Sequence, residues 1–165
     1  MSSDAPRSDV KRRAVPPAVQ FSGLGFTMHL PDAMQAALDA AAPGFRTIRP
    51  DKFRADVSQA GMMGGKGIQP LFAVVSDFDG DGSQDAVVEG SEPADSALHV
   101  VAIMNGTKPR AFEVTSINPY DADAVGTYLS LAENANAAFD VIRYPDQSTR
   151  YTYAGGRFTG AAIGN

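Results

Sequence analysis

The sequence contains no cysteine. Disulfide bonds, thiol nucleophiles and zinc or iron–sulfur sites held by thiolates are therefore excluded. Histidine is scarce as well, because His29 and His99 are the only two in the chain. With two separated histidines and no Gly-x-Ser-x-Gly motif, a Ser-His-Asp triad or a histidine-rich hydrolase site has little support.

Long apolar segments are also missing. No stretch of the chain approaches the roughly 20 apolar residues that a membrane-spanning helix requires. Residues 1–20 are polar and lack the apolar segment of a signal peptide. We therefore expect either a cytosolic protein or a chain that begins after a signal peptide has been removed. The overall composition, 44% hydrophobic and 20% charged, indicates a globular protein.

Charge is distributed unevenly along the chain. Four basic residues stand within the first 13 positions, and the remainder has 10 basic and 17 acidic residues. The four are Arg7, Lys11, Arg12 and Arg13. An acidic body argues against nucleic acid as the main partner. We interpret the short basic cluster as part of a flexible, solvated leader over residues 1–18, followed by a single domain over residues 19–165.

The clearest helix prediction covers residues 31–42. Pro31 suits the first helical position, and Asp32 favours the positive end of the helix dipole. Apolar residues recur there at helical spacing, and Pro43-Gly44 ends the pattern. A second, shorter helix is predicted over residues 51–59.

From residue 69 onward the pattern changes to short β-strands. The predicted strands are residues 71–76, 86–89, 97–104, 111–117, 127–131, 139–144, 149–153 and 157–159. Residues 19–28 could add a strand before the helix. Because helices come first and strands follow with short connections, the order predicts an α+β fold. In that fold one or two N-terminal helices pack on a face of an antiparallel sheet.

A glycine-rich segment, AGMMGGKG, covers residues 60–67. Its Gly65-Lys66 pair is reminiscent of a phosphate-binding loop. That motif requires a glycine where Ala60 stands and Ser or Thr where Gly67 stands. We therefore interpret the segment as a surface loop and do not predict nucleotide binding.

The strongest chemical signal is the acidic loop DFDGDGSQD, which occupies residues 77–85. Its carboxylates fall at positions 1, 3, 5 and 9 of the loop and are Asp77, Asp79, Asp81 and Asp85. Calcium takes six to eight oxygen ligands, and alternating side chains can turn towards one centre. Gly82 allows the sharp bend, and Ser83 can offer its backbone carbonyl. The sequence therefore predicts a Ca²⁺ site formed by these four aspartates and Ser83.

Other interpretations of the loop fit less well. Magnesium prefers a rigid octahedron that retains several waters, and zinc prefers Cys and His ligands. Asp and Gly are also common in solvated turns. However, four crowded carboxylates repel one another, and no Lys or Arg lies between Ile68 and Lys108 to neutralise them.

The segment LFAVVSDFDGDGSQDAVVEG resembles the calcium loops of FG-GAP and VCBS-type repeats, which are strand–loop–strand units. The resemblance implies calcium ligation by the four aspartates, with the hydrophobic residue Phe78 packed below the loop. It covers the loop alone, because those repeats build propellers of several blades and this chain has one copy. The order of a PGF segment after the helix, the acidic loop between strands and a late YAGGRF hairpin resembles small exported bacterial proteins that carry one such loop. An EF-hand is excluded, since Val88 stands where its bidentate glutamate is required.

Other polar and aromatic residues are interpreted as structural. His99 lies within an apolar strand and is expected to be half-buried, and His29 precedes the helix. Several glutamates could form a carboxylate pair, but nothing in the sequence pairs them; they are Glu89, Glu92, Glu113 and Glu133. The aromatic residues of the C-terminal half could form a sugar-binding face and are more commonly sheet core; they are Tyr120, Tyr128, Tyr144, Tyr151, Tyr153 and Phe158.

These observations favour a calcium-binding, non-enzymatic domain in which the ion stabilises the fold. Because calcium is scarce in the cytosol, we expect a periplasmic or secreted protein that acts as a binding or interaction module for a protein or carbohydrate. The alternative is a cell-envelope hydrolase with a structural calcium. A cleft that holds Glu113 or Glu133 would favour the enzyme, and a flat aromatic patch near the loop would favour the binding module.

Overall fold

The computed structural model describes residues 15–22, 25–58, 70–118, 120–133, 135 and 137–163. The predicted leader up to residue 14 and the glycine-rich segment 60–67 lie outside these residues. Within the described part, the regular structure consists of eleven strands, one long helix and short helical segments at residues 50–52 and 55–58. The strands are β1 (Ala18–Ser22), β2 (Gly25–His29), β3 (Arg46–Thr47), β4 (Ala73–Ser76), β5 (Asp85–Ser91), β6 (Leu98–Met104), β7 (Arg110–Ile117), β8 (Thr127–Leu131), β9 (Ala138–Arg143), β10 (Gln147–Ala154) and β11 (Arg157–Ala162).

The prediction of an α+β fold is wrong, because the described residues are mostly β, with 48% in strands and 13% in helices. The described strands form three antiparallel sheets. A two-stranded sheet pairs β1 with β2, and a four-stranded sheet has the order β11-β10-β9-β8. The five-stranded sheet has the order β3-β5-β6-β7, with β4 paired to the same edge of β5 as β3.

Local backbone geometry explains part of this correction. The second predicted helix, residues 51–59, is interrupted at Phe53, which has the extended angles φ −74° and ψ 145°. Phe53 forms a bridge with Val125 instead of continuing the helix. In the described residues, the predicted second helix is therefore replaced by two short pieces, a 3₁₀ turn (Pro50–Lys52) and helical residues 55–58.

The helix α1 (Asp32–Ala41) forms one residue inside each end of its predicted range. Its buried residues are Met34 and Leu38, one turn apart, so that a single apolar stripe faces the protein. That stripe packs on β6 and β7 of the five-stranded sheet. The helix thus covers one face of this sheet.

Both faces of the central strands β5 and β6 are buried. All seven residues of β6 and six of the seven residues of β5 are buried. Val88 belongs to the core on the helix side, whereas Val87 belongs to a second core with Leu129, Phe139 and Val141 of the four-stranded sheet. Because side chains alternate along a strand, β5 contributes to both cores at once. This arrangement places the β4–β5 connection at the end of the interface between the two larger sheets.

Candidate metal centre

The acidic loop joins two strands that pair directly with each other. Strands β4 and β5 are antiparallel, and the last pair in their register is Ser76 with Asp85. Asp77 and Asp85 are therefore brought together by the hairpin itself. Gly80 and Gly82 have φ of 73° and 88°, a region that favours glycine, so the chain can turn back between them.

Three of the carboxylates converge. One oxygen from each of Asp77, Asp79 and Asp85 lies within 4.8 Å of the other two. Ligands on opposite sides of a calcium ion are separated by about twice the 2.3–2.6 Å bond length, so this spacing fits a shared cation. The described group consists of carboxylates alone and could hold a metal ion.

Asp85 is the buried member of the group. Its side chain accepts hydrogen bonds from the backbone N–H of Asn105 at 2.8 Å and of Phe78 at 3.0 Å. Burial, together with the charges of Asp79 and Asp81, raises the pKa of Asp85 to about 6, although the two hydrogen bonds oppose this rise. The position therefore disfavours a bare negative charge, and a cation beside it would relieve that cost.

The two solvent-accessible members organise the loop. Asp77 accepts hydrogen bonds from the N–H groups of Asp81 at 3.1 Å and Gly82 at 2.8 Å. Asp79 also accepts from the N–H of Asp81, at 3.2 Å. Burial, followed by contacts with Asp77 and Asp81, raises the pKa of Asp79 above its ordinary value. The loop is thus folded around its own carboxylates, which remain crowded.

Asp81 and Ser83 occupy different positions from the other predicted ligands. Asp81 lies outside the three-residue group, and its carboxylate accepts the N–H of Ser83 at 2.7 Å. Such a local turn competes with ligation for the same oxygen. The complete ligand set of Asp77, Asp79, Asp81, Ser83 and Asp85 therefore stays a prediction.

Phe78 anchors the loop in the protein. Its side chain is 1% exposed, and its ring centroid lies 5.8 Å from that of Phe139 and 5.5 Å from that of Phe158, both in edge-to-face geometry. These two rings belong to the four-stranded sheet. The acidic loop is therefore fixed to both larger sheets, by its strands to one and by Phe78 to the other.

A second polar cluster surrounds His99, which sequence analysis treated as structural. The imidazole is 7% exposed, and its two nitrogens face the carboxylates of Asp95 and Glu113. Glu113, Glu92 and His99 line a pocket of about 240 Å³ at the end of α1. These partners come from separate strands and loops, so no spacing in the sequence could have identified them.

The aromatic residues considered for a sugar-binding face pack against the hydrophobic cores, and the candidate carboxylate Glu89 is buried. The aromatic residues are divided between the cores: Tyr120, Tyr128 and Tyr144 pack on the helix side, and Tyr151, Tyr153 and Phe158 pack between the sheets. Glu89, one of the glutamates considered for a carboxylate pair, is 0% exposed, and neither of its oxygens has a hydrogen-bond partner among the described residues. Burial raises the pKa of Glu89 well above its ordinary value.

Comparison with protein-family models, with curated proteins and with solved structures finds no match. Among the described helices, none has the length and apolar character needed to cross a membrane. The chemistry of the protein is therefore inferred from its own residues.

Proposed function

We propose that the loop between β4 and β5 binds one calcium ion and that this ion stabilises the fold of a non-enzymatic binding or interaction module. The observation that supports the proposal best is the convergence of Asp77, Asp79 and Asp85 within 4.8 Å. An all-oxygen group of carboxylates suits calcium, because magnesium demands a rigid octahedron and zinc favours nitrogen and sulfur. The resemblance of the loop to FG-GAP and VCBS-type repeats supports the same ion.

The ion is proposed to stabilise the fold without switching it between conformations. Folding joins β4 to β5 and crowds the loop carboxylates, so their repulsion opposes the folded state when no cation is present. A cation that binds only the folded protein adds about 2.7 kcal/mol of stability at one hundred times its dissociation constant. The direct β4–β5 pairing and the buried Phe78 leave little freedom for a second loop conformation.

We also propose that the protein acts outside the cytoplasm, where calcium is abundant enough to fill a site of modest affinity. The alternative function, a cell-envelope hydrolase with a structural calcium, has one observation in its favour, the pocket that contains Glu113. However, both nitrogens of His99 in that pocket already face carboxylates, so neither is free to act as a general base. We therefore favour the binding module.

The first prediction concerns the Asp79→Asn variant, which keeps the shape of the side chain and removes its charge. In calcium we expect this variant to melt at a lower temperature than the wild type, because a ligand charge is lost. In chelator we expect the order to reverse, because one repelling charge is gone from the loop. Thermal unfolding in both conditions, with calorimetric calcium titration of each protein, measures this crossover.

Asp123→Asn provides the matched control. It removes one carboxylate from an exposed pair with Lys52, whose N–O distance is 3.2 Å, and such surface pairs contribute at most about 1 kcal/mol. It should leave the calcium dependence of melting unchanged. If chelator does not lower the melting temperature of the wild type, the stabilising role of calcium is wrong. A titration with magnesium that matches the calcium response would assign the site to divalent cations in general.

A further inference from the structure

We propose that His99 is the centre of a pH-dependent clamp that holds the β5–β6 connection against β7. The clamp is separate from the acidic loop and does not depend on calcium. It joins four side chains from three parts of the fold. His99 lies on β6, Glu113 on β7, and Glu92 and Asp95 in the β5–β6 connection.

The contacts of the imidazole ring carry the proposal. Its Nε2 lies 2.8 Å and 3.1 Å from the two carboxylate oxygens of Asp95. Its Nδ1 lies within hydrogen-bond distance of an oxygen of Glu113 and 4.0 Å from an oxygen of Glu92. A neutral imidazole has a single N–H, whereas ionised carboxylates only accept hydrogen bonds. Both contacts are satisfied together only when the ring carries two protons and a positive charge.

The surrounding charges agree with a protonated ring. Burial lowers the pKa of His99, but the hydrogen bonds to Asp95 and Glu113 and the charges of Asp95 and Glu92 outweigh burial, so the pKa rises above 6.5. The hydrogen bond to His99 in turn lowers the pKa of Asp95. The end of α1 contributes Ala41 and Ala42 to the pocket and no titratable group.

Loss of the proton has a definite structural consequence. The neutral ring can donate to one carboxylate at most, and Glu92, Asp95 and Glu113 then repel one another without a cation between them. Asp95 is in an exposed connection and is the partner that can move away. Because the pKa of the folded state is raised, the clamp is complete below pH 6.5 and is lost as the pH rises through that raised value. The β5–β6 connection should then move away from His99.

The first test is an NMR titration of the wild-type protein. The imidazole signals of His99 and His29 are assigned with a His29→Asn variant, which leaves a single histidine. We expect the pKa of His99 to be above 6.5. A measured pKa of 6.5 or below would overturn the clamp.

The second test measures whether the connection opens. The N–H of Ala97 donates to the Asp95 carboxylate at 3.1 Å, so its hydrogen exchange reports the position of Asp95. After correction for the intrinsic effect of pH, we expect faster exchange at pH 9 than at pH 6. A pKa raised by one corresponds to about a tenfold change in the closed-to-open ratio. Equal corrected exchange at the two pH values would show that no opening occurs.

Matched variants separate the clamp from a general effect of charge. Glu113→Gln keeps an acceptor for Nδ1 but removes the charge, so it should lower the pKa of His99 and move the opening to lower pH. Asp123→Asn changes the net charge equally and lies elsewhere on the surface. It should therefore change neither the pKa of His99 nor the pH at which the connection opens. If both variants shift the pKa of His99 by the same amount, the local clamp is refuted.

Discussion

Replacing Phe78 with alanine is expected to lower the free energy of unfolding by about 3–5 kcal/mol, the usual cost of deleting a buried phenylalanine ring. The ring is 1% exposed and meets Phe139 and Phe158 of the facing sheet edge-to-face. Deletion therefore removes the apolar contact between the acidic loop and the four-stranded sheet. Guanidinium unfolding in chelator measures this loss without a contribution from bound cation.

The same substitution should weaken cation binding. Phe78 stands between Asp77 and Asp79 in the chain, and its N–H donates to Asp85 at 3.0 Å. Without the ring, the loop is less firmly placed, and bringing its carboxylates together costs more conformational entropy.

Phe158→Ala is the matched control, because it removes a ring from the same cluster but belongs to β11 and not to the acidic loop. We expect it to destabilise the protein with a smaller effect on calcium affinity. A loss below about 1 kcal/mol for Phe78→Ala would contradict the burial of this ring in the core.

Replacing Glu89 with methionine is expected to stabilise the protein. Glu89 and Val87 are two residues apart on β5 and point to the same face, and Val87 packs against the four-stranded sheet. The Glu89 carboxyl is fully buried there and has no hydrogen-bond partner among the described side chains and backbone. A buried polar group without a partner costs about 1–3 kcal/mol, and methionine fills a similar volume without that cost.

The stability that Glu89→Met gains over the wild type should increase with pH. In the unfolded chain Glu89 ionises near its ordinary pKa of 4.5, whereas burial keeps it protonated in the folded protein to a much higher pH. Between these two values the unfolded state has lost a proton that the folded state retains. Wild-type stability should therefore fall by about 1.4 kcal/mol for each pH unit above 4.5, until the raised pKa is reached.

Glu89→Gln separates the two effects. The amide does not ionise, so this variant should lack the pH-dependent part of the loss, while it still buries a polar group. Denaturant unfolding of the three proteins from pH 5 to pH 8 should give nearly parallel curves for the two variants, with methionine the more stable. If Glu89→Gln is less stable than the wild type throughout, the carboxyl has a partner and the interpretation fails.

Much of the local structure could be predicted from the sequence. The strands from β4 to β11 lie within a few residues of their predicted ranges, because alternation of apolar residues and turn-forming pairs are local signals. The Gly155–Gly156 turn, with φ of 62° and 84°, is an example in which two glycines determine a hairpin. The acidic loop was likewise apparent, because its carboxylates are neighbours in the chain.

The fold class was wrong because it depends on contacts that have no local signal. Helical propensity at residues 51–59 gave way to the extended geometry of Phe53, which pairs with the distant Val125. The division of the strands into three sheets likewise follows from which apolar faces can be buried together. The division of the strands among sheets is therefore decided by contacts between residues that are far apart in the chain.

The sequence by itself thus determined the hairpin that carries Asp77, Asp79 and Asp85, since position along a short loop is enough to bring these carboxylates together. Tertiary structure alone decided the environment of His99 and Glu89. The carboxylates around His99 come from the β5–β6 connection and from β7, and the Glu89 side chain is fully buried. The physical reason is that burial and charge depend on what surrounds a side chain in space, and folding brings those groups together from distant parts of the chain.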